Sequence, residues 1–145
     1  MKKILSYTLL ILFFIIPICN TAIASDSNCS IQYFENGDYI ITEDLFSSNA
    51  RTYTSSEKRS SYYTANHTLV FTTLLSATFN YTYGKQASAI NSSITVSIPA
   101  SSAIFKSKTS SVSGNTANGS ATVFYQGADR TIYVSMTCDI YGNVR

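Results

Sequence analysis

Few side chains in this sequence are suited to catalysis. His67 is the only histidine, and the acidic residues form two close pairs, Glu35 with Asp38 and Glu43 with Asp44. No Gly-x-Ser-x-Gly motif frames a serine nucleophile. A glycosidase would need two carboxyl groups about 5–10 Å apart in a cleft. We therefore expect His67 on the surface, the acids at turns and strand ends, and no enzymatic activity.

Candidate metal and cofactor ligands are equally few. A zinc site needs three or four Cys, His or carboxylate ligands, and the chain has three cysteines and one histidine. The oxygen-rich segment Asp139–Asn143 lacks the ligand spacing of an EF-hand calcium loop. A C-terminal turn is the better interpretation of that segment, and we expect neither a metal nor a cofactor.

The first 24 residues predict export. Two lysines precede an apolar run that is clearest from Leu9 to Ile18, and small residues follow in Ala22-Ile23-Ala24. This order is typical of a secretory signal peptide cleaved before Ser25, and the short Lys-Lys start is typical of bacterial signals. A membrane anchor is one alternative, although the run is short and contains Pro17. Lipid attachment at Cys19 is another, but the residue before it is not small.

Removal of residues 1–24 leaves eight Lys and Arg against eight Asp and Glu. A neutral mature chain gives no support for a nucleic-acid partner or for electrostatic attraction to an anionic membrane. Ser and Thr make up 37 of the remaining 121 residues, and such hydroxyls suit solvent-facing strands. The sequence therefore predicts a secreted, extracellular protein with no membrane span in its mature part.

Two cysteines, Cys29 and Cys138, follow the predicted signal peptide. In an exported chain an even pair predicts a disulfide. Closing a loop of about 100 residues would stabilise the fold by about 4–5 kcal/mol in the chain-entropy model. Two separate free thiols are the alternative.

Alternation of apolar and polar residues predicts β-strands over most of the mature chain. It is clearest over Phe71–Tyr83, where the length suggests a bulge near Thr72–Leu74. Gly84-Lys85 then predicts a hairpin turn with Gln86–Ile90 as the returning strand. Further strands are predicted around Ile94, Val96 and Ile98, over Ala103–Thr109, from Ala121 to Tyr125, and along the row Ile132, Val134, Met136 and Cys138. Turns are predicted at Ser113-Gly114-Asn115, Asn118-Gly119 and Gly127-Ala128-Asp129.

The amino-terminal half gives weaker signals. Short strands are predicted at Ile31–Phe34, Tyr39–Thr42, Arg51–Ser55 and Ser61–Ala65, and the polar stretch Asp44–Ser61 predicts a solvated loop or hairpin. Eight to ten short strands with frequent turns indicate two packed antiparallel sheets. We predict an all-β antiparallel β-sandwich, immunoglobulin-like in general architecture, that occupies residues 25–145 as one domain.

Three segments carry a family resemblance: ATFNYTYGK at 77–85, SKTSSVSGNTANGSATV at 107–123 and VSMTCDIYGN at 134–143. Together they resemble a loose group of small, uncharacterised secreted proteins from Gram-positive gut anaerobes. The resemblance covers residues 75–145 and implies a secreted β-rich protein with no assigned activity. Members of that group often have the partner cysteine in the strand after the hairpin, where this chain has Ala87, Ala89 and Ile90.

The leading functional hypothesis is a non-enzymatic extracellular binding or structural module. Its partner would be a glycan or a protein, because tyrosines whose hydroxyl is exposed to solvent are typical of surfaces that bind glycans or proteins. Tyr62, Tyr63, Arg51 and Arg59 are the candidate binding residues. The alternative is a bacteriocin-like or pore-forming effector, in which Thr68–Tyr83 opens into a membrane hairpin. A hydrolase with an unrecognised site is the third hypothesis.

Overall fold

The computed structural model describes residues 29–49 and 52–145. The predicted signal peptide and Arg51 lie outside these residues. Eight strands follow one another along the described chain: β1 (Cys29–Tyr33), β2 (Tyr39–Asn49), β3 (Tyr53–Tyr63), β4 (Leu69–Asn80), β5 (Ser88–Ser97), β6 (Ile104–Ser113), β7 (Thr116–Tyr125) and β8 (Ala128–Thr137).

The strands form two antiparallel sheets. Strands β1 to β5 make a five-stranded sheet in sequential order, and β6 to β8 make a three-stranded sheet, also in sequential order. The two sheets pack face to face through contacts of β3, β4 and β5 with β7 and β8. The chain passes between the sheets once, after Pro99, which cannot donate to a strand ladder. The predicted all-β sandwich is therefore confirmed.

The core lies between the inner faces of the two sheets. On β4 alternate residues are fully buried, with Phe71, Leu75 and Phe79 at 0% exposure. They belong to one core cluster with Ile132 and Met136 of β8, and the whole predicted inward row from Ile132 to Cys138 is buried. The alternation that predicts these strands also identifies their inner faces, because successive side chains of a strand point to opposite sides of the sheet. The segment Thr68–Tyr83, proposed as a membrane hairpin, thus contains β4, which lies inside the larger sheet and pairs with β3 and with β5.

The polar stretch Asp44–Ser61 forms long strands rather than a solvated loop. It supplies most of β2 and β3, which pair as a hairpin. Several of its hydroxyl residues are buried, and Ser60 shows how they are satisfied: its hydroxyl bonds to that of Thr42 on β2 at 2.9 Å, and its carbonyl accepts a hydrogen bond from Thr73 on β4 at 3.3 Å. Hydrogen-bonded hydroxyls can be buried at little cost, which is why this segment is a strand despite its polarity.

Three local expectations are wrong. Strand β4 ends at Asn80 rather than Tyr83. Its pairing is irregular at Val70 with β3 and between Thr78 and Phe79 with β5, rather than at Thr72–Leu74. Asn118-Gly119 lies inside β7 rather than at a turn. A Cβ on Gly119 would lie 3.0 Å from the side-chain ends of Leu75 and Ile94. The glycine is required by close sheet packing, not by a turn.

The predicted disulfide between Cys29 and Cys138 is also wrong. Cys29 is exposed at the start of edge strand β1, and Cys138 is buried at the end of β8 in the other sheet. The five-stranded sheet separates the two positions, whereas a disulfide requires their Cα atoms within about 7 Å. Cys138 is instead a core residue, and its burial, followed by the charge of Asp139, raises the pKa of its thiol.

Candidate functional site

Tyr62 and Tyr63 are neighbours in sequence that lie on opposite faces of the five-stranded sheet. Tyr62 faces inward with 3% of its surface exposed, so its proposed role as a surface contact is wrong. Its ring stacks on Phe34 and on Phe71, each at 5.7 Å between ring centroids. The even-numbered residues of β3 face the core from Thr54 onward, and Tyr62 continues that row.

The Tyr62 hydroxyl belongs to a hydrogen-bonded cluster at the end of the core. It donates to Asp38 Oδ2 at 2.8 Å. The same carboxylate accepts hydrogen bonds from Asn36 Nδ2 at 2.9 Å and from the backbone N–H of Ala65 at 3.0 Å. The turn that carries Asp38 has Gly37 at φ +84°, a conformation that favours glycine. Two turns of the sheet are thereby tied together around one carboxylate.

Arg130, from β8 in the other sheet, completes this inner cluster. Its Nη1 lies 3.5 Å from Asp38 Oδ2, and its guanidinium lies over the Tyr62 ring at 5.9 Å. Burial raises the pKa of Asp38, but the hydrogen bonds and the arginine charge outweigh burial and lower it overall. Burial and the bond to Asp38 raise the pKa of Tyr62 to about 12. At neutral pH the cluster is therefore a phenol bound to a carboxylate, with an arginine beside it.

A cleft of about 450 Å³ opens beside the inner cluster. Its walls include Arg130 together with the acidic side chains of Glu35 and Asp129. Arg130 is already engaged by Asp38, so its charge is largely neutralised within the fold. We interpret the cleft as the outer surface of a structural cluster that closes the core.

The outer face of the same sheet has a different group of aromatics, which we call the tyrosine stack: Tyr33, Tyr39 and Tyr63, one each from β1, β2 and β3. The registers place Tyr39 directly opposite both Tyr33 and Tyr63. The Tyr39 and Tyr63 rings are nearly parallel at 5.1 Å, and the Tyr33 ring lies 5.7 Å from Tyr39. Tyr39 is buried between its neighbours, while Tyr33 is 69% exposed.

His67 lies against the tyrosine stack, from the turn between β3 and β4. Its Nδ1 and the Tyr39 hydroxyl are 3.0 Å apart, and its ring meets the Tyr39 ring edge-on. Its backbone has φ 61°, which is uncommon for a residue other than glycine. Burial, and then the neighbouring tyrosines, raise the pKa of Tyr39, so the phenol stays neutral. The only histidine is on the surface, as predicted, and it supports the stack.

Charged groups lie on the same outer face, four residues along β3 from Tyr63. Arg59 faces Glu43 across β2 and β3, with 3.8 Å between Nη1 and Oε2. The arginine side chain is 47% exposed, so it remains available to solvent. Of the four candidate binding residues, Tyr63 and Arg59 therefore share one face, Tyr62 lies on the other, and Arg51 falls outside the described residues.

Exposed aromatics occur at other places as well. Tyr83 and Tyr141 approach each other at 5.3 Å on loops at the opposite end of the sandwich, and Tyr133 is 81% exposed on the outer face of the three-stranded sheet. Neither place combines several aligned rings with charged side chains on a rigid sheet. The tyrosine stack combines three aligned rings with the charged side chains of Arg59 and Glu43 on paired strands, and it is therefore the candidate site.

Within the described ranges, no three His, Cys, Asp or Glu side chains gather closely enough to hold a metal ion. The same part of the chain contains no helix with the length and apolar character of a membrane span. Asp139 accepts hydrogen bonds from the backbone N–H groups of Tyr141 and Asn143, as expected for the predicted C-terminal turn.

Sequence reasoning missed most of the residues of both clusters. Tyr33 and Tyr39 flank the segment Phe34–Asp38, which contains Asn36-Gly37, a strong hairpin signal. A hairpin at that place would have paired the two tyrosines across β1 and β2. Arg130 had no comparable signal, because its contact with Asp38 joins two sheets through residues far apart in sequence.

Comparison of the chain with protein-family models, with curated proteins and with solved structures finds no match.

Proposed function

We propose that the protein is a secreted, non-enzymatic binding module that holds extracellular glycans against the tyrosine stack. One observation carries the proposal: three aligned tyrosine rings lie across three neighbouring strands on the outer face of a sheet, with an exposed ring at the open end. Sites on paired strands are held more rigidly than sites on loops. Of the two partner classes expected from the sequence, a glycan or a protein, the glycan is the one that we propose.

The surroundings of the stack supply what a sugar requires. Aromatic rings pack against the apolar C–H face of a sugar ring, and the most exposed ring of the stack is that of Tyr33. Arg59 offers donors and Glu43 offers acceptors on the same face. The bond between Tyr39 and His67 fixes the central ring, so less side-chain freedom is lost when a ligand binds.

A glycan array, followed by calorimetry on any glycan that binds, tests the proposal. Truncating an aromatic contact residue typically costs more than about 1 kcal/mol of binding energy. We therefore expect Tyr33→Ala and Tyr63→Ala each to weaken binding at least about five-fold. Arg59→Gln should weaken binding less, because its side chain is partly exposed.

Tyr133→Ala is the matched control, since Tyr133 is also an exposed strand tyrosine but lies on the other sheet. It should leave glycan affinity unchanged. Binding that falls equally in Tyr133→Ala would overturn the assignment to the tyrosine stack. A folded protein that captures no glycan on the array would overturn the proposed function itself.

Secretion is a separate part of the proposal, supported by the sequence of residues 1–24. Expression of the full chain in a bacterial host, followed by amino-terminal sequencing of the protein in the medium, tests it. We expect the released protein to begin at Ser25. Intact chain retained in the cell with its amino-terminal segment uncleaved would contradict secretion without bearing on the binding site.

A further inference from the structure

The outer face of the five-stranded sheet carries another exposed tyrosine, far from the tyrosine stack. Successive side chains of a strand point to opposite faces, so the odd-numbered residues of β3 share the face of Tyr63. That row begins at Tyr53, the first residue of β3, which is 53% exposed. Tyr53 and Tyr63 are ten positions apart, or about 33 Å along an extended strand. The two aromatic side chains therefore mark the ends of one long surface.

A groove of about 150 Å³ begins two positions from Tyr53 on the same face. It crosses β3, β4 and β5, and the registers of these strands place its side chains in two neighbouring rows. The outer-face residues that line it are all polar: Ser55, Glu57, Ser76, Thr78, Asn91 and Ser93. We call Tyr53 and this groove together the polar subsite.

Hydrogen bonds within the polar subsite hold several of its side chains in place. Ser76 donates to Glu57 Oε1 at 3.1 Å, and the hydroxyls of Ser55 and Thr78 lie 3.3 Å apart. Asn91 is exposed, so its amide is open to a ligand. Hydroxyl and amide groups both donate and accept hydrogen bonds, as the hydroxyls of a sugar do. The Tyr53 ring adds a surface for the apolar face of a sugar.

Two lysines support the strands that carry the polar subsite. On the inner side of β3, Lys58 donates to the carbonyl of Ser135 on β8 at 3.2 Å. Lys108 on β6 donates to the carbonyl of Ile94 on β5 at 3.1 Å. Both bonds join the two sheets and hold β3 and β5 against the smaller sheet. Little further ordering of these strands is then required when a ligand binds.

The charge of the surface between the two tyrosines is balanced. Along the outer face of β3 its charged side chains are Glu57 and Arg59, which have opposite signs. Glu57 lines the groove, where its carboxylate would repel an acidic sugar, because like charges placed close together are unfavourable. The surface is therefore suited to a neutral chain rather than to an acidic one.

We propose that this face binds the interior of an extended, neutral polysaccharide, which lies along β3 from the tyrosine stack to the polar subsite. The inference rests on the proposed function, since the tyrosine stack is one of the two contacts. A disaccharide is too short to reach both. Two linked contacts on one chain bind more tightly than either alone, because the second contact forms at a high effective concentration. Affinity should therefore rise with chain length.

Calorimetry with two chain lengths of the same sugar tests the inference. The probes are linear oligomers of glucose, of mannose and of N-acetylglucosamine, each as a disaccharide and as an octasaccharide. We expect at least one of these sugars to bind at least about ten-fold more tightly as the octasaccharide. A galacturonic acid octasaccharide is the acidic counterpart, and it should bind more weakly than the neutral octasaccharide that binds best.

Variants of the polar subsite separate the two contacts. Tyr53→Ala should weaken binding of the octasaccharide at least about five-fold, and Asn91→Ala at least about two-fold. Both should leave binding of the disaccharide, which the tyrosine stack holds, unchanged. Tyr133→Ala and Asn118→Ala are the matched controls, because both residues are exposed on strands of the other sheet. The controls should leave the affinity for either chain length unchanged.

The outcomes distinguish this inference from the proposed function. Equal affinity for disaccharide and octasaccharide, with loss of both in Tyr63→Ala, would overturn the extended site and leave the proposed function in place. An octasaccharide that binds tightly but is unaffected by Tyr53→Ala and Asn91→Ala would place the second contact elsewhere, and would also overturn the inference. Tighter binding of the acidic octasaccharide would overturn the neutral class of ligand. If no oligomer binds, the inference is wrong, and the glycan array decides the proposed function separately.

Discussion

Tyr62 and Tyr63 differ by one position in sequence and by a full change of environment. The Tyr62 ring is enclosed by Phe34 and Phe71, and its hydroxyl is bound to Asp38. The Tyr63 ring stacks on Tyr39 alone and is half-buried. The inner cluster uses tyrosine as a core residue with one satisfied polar atom, whereas the tyrosine stack keeps part of its aromatic surface in contact with solvent.

Two adjacent tyrosines in a strand therefore lie in different environments. Successive side chains face opposite sides of a sheet, so one of the pair is available for stability and the other for recognition. Variants of the two residues should therefore separate stability from binding.

The largest effect is expected from truncating the inner ring. Tyr62→Ala removes a buried aromatic and should lower the free energy of unfolding by about 3–5 kcal/mol. Tyr63→Ala should lower it by about 1 kcal/mol, because it loses one stacking contact at a half-buried site. Urea denaturation of the two variants measures the difference. Equal losses of stability would mean that the two faces are not distinct in the way described.

The second-largest loss of stability is expected from removing the carboxylate of Asp38. Asp38→Ala leaves the Tyr62 hydroxyl, the Asn36 amide and Arg130 without their common partner, and should cost about 3 kcal/mol of stability. Glu43→Ala, on the outer face, removes a carboxylate that faces an exposed arginine and should cost less than about 1 kcal/mol. A Glu43→Ala variant that is as unstable as Asp38→Ala would contradict this ordering.

The pH dependence of stability should single out the same carboxylate. The pKa of Asp38 is lower in the folded protein than its ordinary value of 3.8. Its contribution is therefore fully present above that value and is lost as the pH falls below it. We expect the acid-induced loss of stability to be smaller in Asp38→Asn than in the original protein, measured by urea unfolding between pH 6 and about pH 2.5. If the free energy of unfolding falls equally with pH in the two proteins, the Asp38 carboxylate does not contribute to the acid sensitivity of the fold.

The smallest effects are expected from removing one hydroxyl. Tyr62→Phe leaves Asp38 short of a donor and should cost about 1–2 kcal/mol. Tyr63→Phe should change stability by less than about 0.5 kcal/mol. Thermal unfolding of the matched pair gives the comparison. A cost for Tyr63→Phe equal to that of Tyr62→Phe would show a buried partner for the outer hydroxyl.

Much of the fold is predictable from the sequence, and the reason is visible in individual strands. In β4 and β8 large apolar residues alternate with polar ones. This pattern predicts both a β-strand and the side of the strand that is buried, and Phe71, Phe79, Ile132 and Met136 are indeed fully buried. In β3 both faces carry hydroxyl or charged groups. Hydropathy alone could not show that Thr54 and Ser60 are buried or that Tyr62 is the inward tyrosine.

The candidate site is less predictable than the fold, because its members meet only after the strands pair. Tyr63 and Arg59 are identified from sequence, but Tyr33 and Tyr39 join them only through the register of β1 with β2 and β3. The disulfide prediction fails for a related reason, since an even cysteine count states nothing about which sheet each cysteine enters. Local patterns predict elements, and long-range register decides which side chains meet.

The two lysines that cross between the sheets have a practical consequence. Lys58 donates a hydrogen bond to the carbonyl of Ser135 and also pairs with Asp44, and Lys108 donates a hydrogen bond to the carbonyl of Ile94. Reagents that acylate amines, including activated esters used for dye labelling or surface coupling, would convert both ammonium groups to neutral amides and weaken these charge-assisted hydrogen bonds. Protein immobilised or labelled by that route is expected to be less stable, so attachment through another chemistry is preferable for ligand screens.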